Sequence, residues 1–401
     1  MSFFSVNTYN FRNLKNAQVD TNAKNVFLIG ENGQGKTNFL EAVYVLCFGN
    51  SFRTKIDSLF VKEDEKEMSV KGIYKEKQEE SIKNTIFLSI VKGKKTIILN
   101  EKKIKDRKEI IYNIPCVVFS HDDVYFVNGT PDRRRIFFNQ TISLFDCNYL
   151  DNLRQYERIL RNRNAVLKNN DKEYKGFNTS DFGVLNPLIP HSLGHERAST
   201  SRHSLHSEII SVLDTQLAEK GIELIKTREK ITEEFNETFS SVISKVLDID
   251  SEIKIVYKPS WGLDSDADKI KKILLSKQEA ETALGTTLSG PHRDRFYYYI
   301  NKKDFTKIAS TGQTRLISLA LKTAQAEFYK EKTGKKPLVL FDDALLELDK
   351  VKKTRFIESF PEYEQAFFTF LPGEEKIIPE REGIFYTVDN GTIRRRSEDC
   401  E

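Results

Sequence analysis

The residues best suited to do chemistry lie in a short glycine-rich stretch near the start of the chain. In order, they are Gly30, Glu31, Asn32, Gly33, Gln34, Gly35, Lys36, Thr37 and Asn38. The first eight match G-x-x-x-x-G-K-[ST], a loop whose backbone N–H groups surround a polyphosphate. Lys36 is expected to reach the β- and γ-phosphates, and the Thr37 hydroxyl to bind magnesium. A chance glycine-rich turn is the alternative, but an apolar strand before the loop and a helix after it favour the phosphate loop.

A second source of metal ligands lies near the other end of the chain. The apolar residues 338–341 are followed by Asp342 and Asp343, the Walker B pattern. Asp342 is expected to hold magnesium through water, and Asp343 to orient or deprotonate an attacking water. Strand ends often carry a solvated Asp, so this pair is informative only in combination with the phosphate loop.

A third motif precedes Walker B by about thirty residues. Ser310, Thr311, Gly312 and Gln313 stand before a helix-forming run, and a small-residue turn at a helix N-terminus can bind an anion. An ordinary helix cap is the alternative. In combination with the other motifs the turn resembles the S-x-G-Q signature of ABC ATPases, which in that superfamily completes the ATP site of the opposite subunit. Residues 347–349 (Glu-Leu-Asp) resemble the D-loop that follows Walker B.

The elements that position these motifs follow from the spacing of apolar residues. The pattern predicts strands at 25–29, 296–300 and 338–341, an antiparallel β layer at 69–99, and helices at 37–48, 149–167, 231–247 and 316–328. This is an α/β fold with a helical insertion. We expect the N-terminal part of the head at 1–140, a helical arm at 141–285 and the C-terminal part of the head at 286–401.

One segment of the expected arm differs from the rest of the chain. No lysine occurs between Lys175 and Lys220, and four of the six histidines fall there: His191, His195, His203 and His206. A histidine cluster can bind metal, but no carboxylate or cysteine completes a ligand set at a recognisable spacing. The composition favours a structural or flexible insertion, irregular at about 176–207.

Composition sets broad limits on the function. The 63 basic and 59 acidic residues leave a formal charge of +4, too small to indicate nucleic-acid binding by itself. The four cysteines are far apart and form no C-x-x-C pair, which is typical of a reducing compartment. No apolar run approaches the length of a membrane span, and the N-terminus has no signal-like pattern. We therefore expect a soluble, cytoplasmic protein with no membrane partner.

Seven short blocks of sequence, in a fixed order, carry a specific resemblance to a known protein family. They are NFRNL at 10–14, GENGQGKTNFLEA at 30–42, SFRT at 51–54, NGTPDRRR at 128–135, LSGPHRD at 288–294, STGQ at 310–313 and LFDDALLELD at 340–349. Some three hundred residues separate the phosphate loop from Walker B, as in SMC-like proteins, yet no long heptad pattern is present. The chain resembles the RecF family over nearly its full length. It departs from the family at His121, where proline is common, at Arg295, where an acidic residue is common, and in the lysine-free segment.

The resemblance implies an ABC-ATPase-type P-loop head with an antiparallel β layer and a short helical arm. ATP would lie between two heads of a homodimer, with Lys36, Thr37 and Asp342 from one subunit and Ser310 and Gly312 from the other. Gln313 is a further catalytic candidate. Arg12, near the start of the first strand, would contact phosphate, with a surface salt bridge as the alternative. Hydrolysis would be slow, because Asp343 is shorter than the usual glutamate and no histidine follows Walker B. A weak Mg²⁺-dependent ATPase that acts as a switch is expected.

The resemblance also implies sequence-independent binding of DNA at junctions of single strand and duplex. Candidate phosphate contacts are Arg53, Lys55, Arg133, Arg134 and Arg135, with a solvated surface or a structural network as the alternative. The expected partners are the mediator proteins RecO and RecR and the RecA recombinase, in DNA repair, replication and the SOS response. For His292 and Asp294, packing and nucleotide contact are both open.

Three other functions compete with this one. A transporter ATPase would have a compact interval between Walker A and Walker B, and a small-molecule kinase would need neither the S-x-G-Q turn nor the D-loop. An SMC-like DNA-binding scaffold with weak or no catalysis remains the alternative.

Overall fold

The computed structural model describes residues 1–75, 83–168, 200–247, 253–345, 348–358, 360–377 and 383–396, with only the backbone at 200–205, 246–247 and 350. The chain divides into two compact units. The first comprises Met1–Phe145, Glu234–Ile255 and Tyr298–Glu401, and the second Asp146–Glu233 and Val256–Tyr297. The expected arm was one continuous segment of residues 141–285, whereas the second unit is built from two segments.

The described residues form fifteen β-strands and nine α-helices. The strands are β1 Ser2–Tyr9, β2 Ala17–Asp20, β3 Asn25–Ile29, β4 Glu67–Lys75, β5 Asn84–Val91, β6 Lys94–Leu99, β7 Lys102–Lys103, β8 Cys116–Phe119, β9 Ile253–Lys258, β10 Arg295–Ile300, β11 Lys303–Asp304, β12 Leu338–Phe341, β13 Gln365–Phe370, β14 Ile384–Asp389 and β15 Thr392–Arg395. The α-helices are α1 Lys36–Phe48, α2 Lys108–Asn113, α3 Tyr125–Asn128, α4 Pro131–Ser143, α5 Cys147–Lys168, α6 Thr200–Leu247, α7 Ala267–Leu284, α8 Thr311–Thr333 and α9 Lys350–Glu358. The element types at the predicted positions are therefore confirmed, although α8 is longer than expected at both ends.

A mostly parallel sheet holds the site motifs. Its strand order is β15-β14-β3-β13-β12-β8, and β14, β3, β13, β12 and β8 run parallel. Every residue of β3, β8, β12 and β13 is buried, as in strands covered on both faces. Because β3, β13 and β12 are parallel neighbours, with β13 in the middle, the carboxyl ends of all three strands lie at the same edge of the sheet. The phosphate loop follows β3 there, and Walker B follows β12.

An antiparallel sheet in the order β2-β1-β4-β5-β6-β7 forms the expected β layer. Helix α1 is buried on nearly all sides, since its hydrophobic cluster includes residues of this sheet, such as Val70, and of the parallel sheet, such as Phe367. This burial fixes the N-terminus of α1, where the phosphate loop ends. A third sheet has the order β11-β10-β9.

Aromatic packing explains why the last part of α6 belongs to the first unit. Phe235 lies 5.9 Å from both Phe137 and Phe138 and 5.4 Å from Phe328, measured between ring centroids. Such edge-to-face contacts add to the energy of apolar burial.

Helix α6 begins at Thr200. The prediction of an irregular segment was therefore wrong for residues 200–207, because these residues continue the amphipathic helix that follows them; residues 176–199 lie outside the described part.

The second unit has charged groups in its interior. Arg163 is fully buried and donates to Asp214 at 2.5 Å and to Glu281 at 2.6 Å. A buried guanidinium of this kind requires carboxylate partners, because an unpaired charge would lose its hydration without compensation. Helix α7, which the apolar spacing did not predict, begins at an Asp266 cap and ends at Gly285, which has a φ of 62°.

None of the helices in the described part of the chain is long and apolar enough to cross a membrane.

Candidate nucleotide site

The phosphate loop has the backbone form that its glycines predict. Gly33 and Gly35 have φ values of 79° and 115°, a region that other residues rarely adopt. A Cβ atom at Gly30 would lie 2.3 Å from the carbonyl oxygen of Val388, so that position also requires glycine. The buried Lys36 ammonium donates to the carbonyls of Gly30 at 2.6 Å and Glu31 at 3.1 Å. Lys36 is thus held against its own loop.

Walker A and Walker B are joined directly. The Thr37 hydroxyl donates to Asp342 Oδ1 at 2.7 Å. Burial raises the pKa of Asp342 to about 6, the bond from Thr37 opposes the rise, and neighbouring Asp343 adds to it. A hydroxyl and a carboxylate oxygen are ligands that suit a hard divalent cation such as Mg²⁺. The two predicted metal ligands therefore lie together, and their chemistry fits that ion.

Asp343 makes a different contact. It has a φ of 48°, and its backbone N–H donates to the Thr369 hydroxyl at 2.8 Å. The Thr369 hydroxyl in turn donates to Asp343 Oδ1 at 2.8 Å. Thr369 stands near the end of β13, beside Walker B, and sequence reasoning did not identify it because no motif covers this strand. The carboxylate predicted to act on water is thus held by a threonine.

Two further segments support the phosphate loop. The Asn13 side chain donates to the Gly33 carbonyl at 3.2 Å and accepts from the Asn38 side chain at 2.6 Å. On another side, Gly391 N–H donates to the Gln34 carbonyl at 2.9 Å. Gly391 has a φ of 73°, and a Cβ there would lie 2.1 Å from the carbonyl oxygen of Asn13. The hairpin turn between β14 and β15 therefore fits closely against the loop.

Arg12 is part of a charged cluster centred on Glu41. It lies after β1, in a turn with a φ of 53°, so its expected place near the start of the first strand was wrong. Its guanidinium donates to both Glu41 carboxylate oxygens, at 2.9 and 2.7 Å, and Glu41 is fully buried. The Ser51 hydroxyl also donates to Glu41. Arg12 therefore forms a salt bridge, with a buried partner rather than one on the surface.

Arg53 belongs to the same cluster. It donates to Asn38 Oδ1 at 2.8 Å and lies 3.4 Å from a Glu41 oxygen. Its charge also lowers the pKa of Asp342, so Arg53 lies near the Walker B carboxylate. The structure thus places this predicted DNA contact beside the nucleotide site. Glu41 is the central residue that sequence reasoning missed, although a glutamate inside an otherwise apolar helix was a signal.

The signature turn is exposed at the start of α8. Ser310 Oγ accepts from Gln313 N–H at 3.2 Å, and Gln313 Oε1 accepts from Ser310 N–H at 2.9 Å, which is a capping box. A Cβ added to Gly312 would meet no atom within 4 Å. Within the described residues, neither the Ser310 nor the Gln313 side chain bonds to the phosphate loop. The turn therefore has the geometry of a helix cap, and its outer face is open.

A buried arginine follows this turn. Arg315 donates to the carbonyls of Ser120 and His121 at 3.2 and 3.0 Å, and to Ala344 at 2.8 Å. It therefore ties the start of α8 to the segment after Walker B. In the expected D-loop, Leu348 is buried and Asp349 is exposed, while Glu347 lies outside the described residues.

The remaining candidates lie elsewhere. The Arg134 guanidinium lies 5.5 Å from the Tyr298 ring centre, and Arg135 pairs with Asp132. Arg133 and Lys55 are exposed.

His292 and Asp294 lie in the second unit. His292 Nε2 donates to the Thr287 carbonyl at 3.0 Å and its Nδ1 accepts from Tyr156 at 2.8 Å, while Asp294 pairs with Arg228 at 2.8 Å. Both have the packing and hydrogen-bonding role that was one of their two alternatives.

No group of three or more His, Cys, Asp or Glu side chains in the described residues is arranged to hold a metal ion. The side chains of His191, His195 and His203 fall outside them, so the histidine cluster of the sequence is not tested.

Comparison with known proteins agrees with this geometry. The sequence-family model of the RecF/RecN/SMC N-terminal domain matches residues 4–372 of this chain. The DNA replication and repair protein RecF of Treponema pallidum is 37% identical over 367 residues, which is 91% of this chain and 93% of that protein. The chain belongs to the RecF family. RecF of Caldanaerobacter subterraneus is 31% identical over 397 residues, covering 96% of this chain and 97% of that one.

Solved structures extend the RecF assignment to three dimensions. The recombination mediator protein RecF in complex with ATP, from the RecFOR pathway, superposes with a TM-score of 0.80 at 27% identity, covering 99% of this chain and 98% of that chain. An SMC head bound to the C-terminal winged-helix domain of ScpA has a TM-score of 0.53 at 14% identity, which shows a shared fold. The expected ABC-ATPase-type fold is therefore confirmed for this RecF-family chain.

Proposed function

We propose that this chain is an ATP-dependent DNA-binding protein of recombinational repair and replication restart, working in the cytoplasm. In this proposal ATP and Mg²⁺ bind at the phosphate loop, ATP joins two heads into a homodimer, and slow hydrolysis releases the dimer from DNA. The alternative is an SMC-like scaffold with weak or no catalysis.

The contact between Thr37 and Asp342 carries the proposal. It joins the two nucleotide motifs across 305 positions of sequence at 2.7 Å. Lys36 stands beside them in the loop, and Gly33 and Gly35 have the positive φ values that such a phosphate-binding loop requires. When bound, Mg²⁺ would neutralise charge on the phosphate oxygens. ATP-bound RecF among the solved relatives supports the same use of the site.

Dimerisation is supported by the exposed signature turn. Ser310, Thr311, Gly312 and Gln313 are all exposed, and Gly312 has open space around it. An exposed helix N-terminus can bind a phosphate group of a nucleotide that another molecule holds. Ser310, Gly312 and Gln313 would therefore act on the nucleotide held by a partner head.

Slow hydrolysis is supported by the position of Asp343. Its carboxylate is bonded to Thr369 at 2.8 Å. A carboxylate oxygen that is occupied by this hydrogen bond is less available to orient an attacking water, so a switch fits better than a motor. If this bond holds the carboxylate away from water altogether, the scaffold alternative applies.

DNA and protein partners come from the RecF relatives. Their names place them in DNA replication and repair, and the structure with ATP is assigned to the RecFOR pathway. We infer that this chain binds gapped DNA without sequence preference and works with RecO and RecR to help load RecA. Lys55 and Arg133 are exposed and remain candidate phosphate contacts.

Sedimentation velocity tests the proposal. Wild type should shift from monomer to dimer on addition of ATP and Mg²⁺, and the dimer should bind gapped DNA. Lys36→Met should abolish ATP binding, whereas Ser310→Arg and Gly312→Glu should bind ATP but remain monomeric. Lys102→Glu, at an exposed position in β7, is the control for a change of charge.

Three outcomes are informative. A wild type that binds ATP and stays monomeric would contradict the homodimer. Dimers formed by Gly312→Glu would show that the signature turn does not contact a partner. An ATP-driven dimer with no measurable turnover, even with DNA, would establish the scaffold alternative.

A further inference from the structure

A concave basic surface lies in the second unit, whose residues include none of the nucleotide site. Its charged and aromatic members are Lys258, Arg293, Arg295 and Tyr297, and Ser260 and Leu288 complete its lining together with Pro259. We call these seven residues the basic cradle. The three cationic side chains are exposed, and Tyr297 is partly buried.

The charge of the cradle is not neutralised. Among the described residues, Lys258, Arg293 and Arg295 have no acidic partner, and no acidic side chain lines the cradle. Their contacts are weak neutral ones: Arg293 donates to the Thr287 carbonyl at 3.4 Å, and Arg295 to the Tyr297 hydroxyl at 3.4 Å. Three cations around one concavity repel each other, and an anion between them would relieve that repulsion.

The one carboxylate in the same stretch of chain is turned into the unit. Asp294 lies between Arg293 and Arg295 but is fully buried. It accepts from Arg228 at 2.8 Å, from the backbone N–H of Ser260 at 2.7 Å, and from the Tyr257 hydroxyl. Its charge is therefore used inside the unit and does not offset the cations outside.

This buried carboxylate also makes the cradle rigid. It fixes Ser260 and the start of β10, from which Arg295 and Tyr297 project. Arg293 N–H donates to the Gly290 carbonyl at 2.7 Å, which fixes the adjoining turn. A surface held in this way loses little conformational freedom on binding.

The aromatic ring indicates which anion fits. The Lys258 ammonium lies 5.3 Å from the centre of the Tyr297 ring, so phosphate-seeking and stacking groups stand side by side. Proteins that bind single strands combine cations that follow the backbone with aromatic rings on which bases stack. An acidic peptide would use the cations but not the ring.

We propose that the basic cradle binds single-stranded DNA, with Lys258, Arg293 and Arg295 contacting successive phosphates and Tyr297 stacking on a base. The inference deepens the DNA-binding part of the proposed function and rests on it. It assigns the single-stranded portion of a gapped substrate to the second unit.

Fluorescence anisotropy of labelled oligo(dT) on the full-length protein, over a range of salt concentrations, tests the assignment. The variant K258Q/R293Q/R295Q should bind more weakly, and its salt slope should fall by about 0.7 for each phosphate that is no longer neutralised. Tyr297→Ala should weaken binding about fivefold or more without changing the salt slope, because stacking releases no counterions. The control K226Q/K269Q/K272Q removes the same charge from other surface positions of the same unit and should bind like wild type.

The outcomes separate this inference from the proposed function. If wild type binds no oligo(dT) and no gapped DNA, the proposed function fails. If wild type binds but the cradle and control triple variants are indistinguishable, only the cradle assignment is wrong. If the triple variant loses binding of polyaspartate as strongly as that of oligo(dT), and Tyr297→Ala is silent, the cradle is a site for acidic peptides and the DNA assignment is overturned.

Discussion

Thr37 and Asp342 are joined by a 2.7 Å hydrogen bond, the hydroxyl donating to the carboxylate. Asp342 directly follows the buried strand β12, and Thr37 lies in the first turn of α1, after the phosphate loop that follows β3. The bond therefore depends on both strands and on β13 between them. It brings together the two groups proposed to bind magnesium, in a place where burial disfavours charge.

The first prediction concerns Asp342 and pH. Its pKa is raised to about 6 in the folded chain, above the usual value near 3.9 in the unfolded one. The stability due to Asp342 is therefore present in full below the unfolded pKa and is lost as pH rises through about 6. Asp342→Asn should stabilise the nucleotide-free protein by on the order of 2 kcal/mol at pH 8 and by much less at pH 4.5. Urea unfolding at both pH values measures this, with the exposed Asp268→Asn as control.

The same variant should lose function while gaining stability. Asparagine accepts the Thr37 hydrogen bond but offers no charge to a cation, so Mg²⁺-dependent ATP binding should weaken. In wild type, that binding should also decline as pH falls below about 6, because the carboxylate becomes protonated. A variant less stable than wild type at pH 8 would contradict the raised pKa.

The second prediction concerns Glu41, whose buried carboxylate accepts two hydrogen bonds from Arg12. Glu41→Gln leaves that arginine and Arg53 without a counter-charge. We expect a loss of roughly 3 kcal/mol of unfolding free energy, the typical cost of breaking a buried pair. ATP affinity should fall too, since both guanidinium groups are released. Thermal unfolding and ATP titration measure the two effects.

A double-mutant cycle isolates this pair. Arg12→Met combined with Glu41→Gln should cost less than the sum of the single changes, because residues in contact are coupled. Glu63→Gln, at an exposed position, is the control. Additive effects would mean that the salt bridge contributes no coupling.

The third prediction concerns the turn between β14 and β15. Gly391→Ala should place a Cβ 2.1 Å from the Asn13 carbonyl oxygen and push that segment away from the phosphate loop. Gly373 also has a positive φ, 88°, but nothing lies within 4 Å of its Cβ position. Gly373→Ala should therefore show only the backbone cost of about 1–2 kcal/mol, with normal ATP affinity. Equal ATP affinities for the two variants would show that the turn does not support the loop.

The fourth prediction concerns Thr369, which bonds to Asp343 at both its backbone and its side chain. Thr369→Val keeps the shape but removes the hydroxyl, leaving the Asp343 carboxylate free to turn. If Asp343 acts on water and this bond restrains it, ATP turnover should rise several-fold while the KM for ATP stays within about twofold. Thr323→Val, at a buried threonine that bonds within its own helix, is the matched control. An unchanged kcat would separate Asp343 from catalysis.

Much of the head could be predicted because its motifs are local. A phosphate loop needs glycines, a lysine and a threonine at fixed spacing, and buried parallel strands need continuous apolar runs. The phosphate loop, Walker B, α1 and the β layer could therefore be inferred from the order of residues alone. The family resemblance rested on the order of such local blocks.

The tertiary structure decided what surrounds these motifs. Glu41, Thr369 and Gly391 reach the site from α1, β13 and the last hairpin, and no spacing rule connects them to the phosphate loop. The sequence Asn390-Gly391 predicts a tight hairpin turn but not what the turn contacts. Arg53, a candidate DNA contact by residue type, lies beside the nucleotide site because Glu41 and Asn38 hold it there.

The sequence by itself determined the chemistry available to this protein, since residue type fixes which groups can bind phosphate or metal and local spacing fixes loop and helix. Only the tertiary structure decided which groups act together. Charge pairing and burial depend on residues far apart in sequence: Asp294 is turned inward by Arg228, while its neighbours Arg293 and Arg295 remain outside. Such an arrangement follows from the packing of the whole unit, because a buried charge is stable only where the fold supplies its partner.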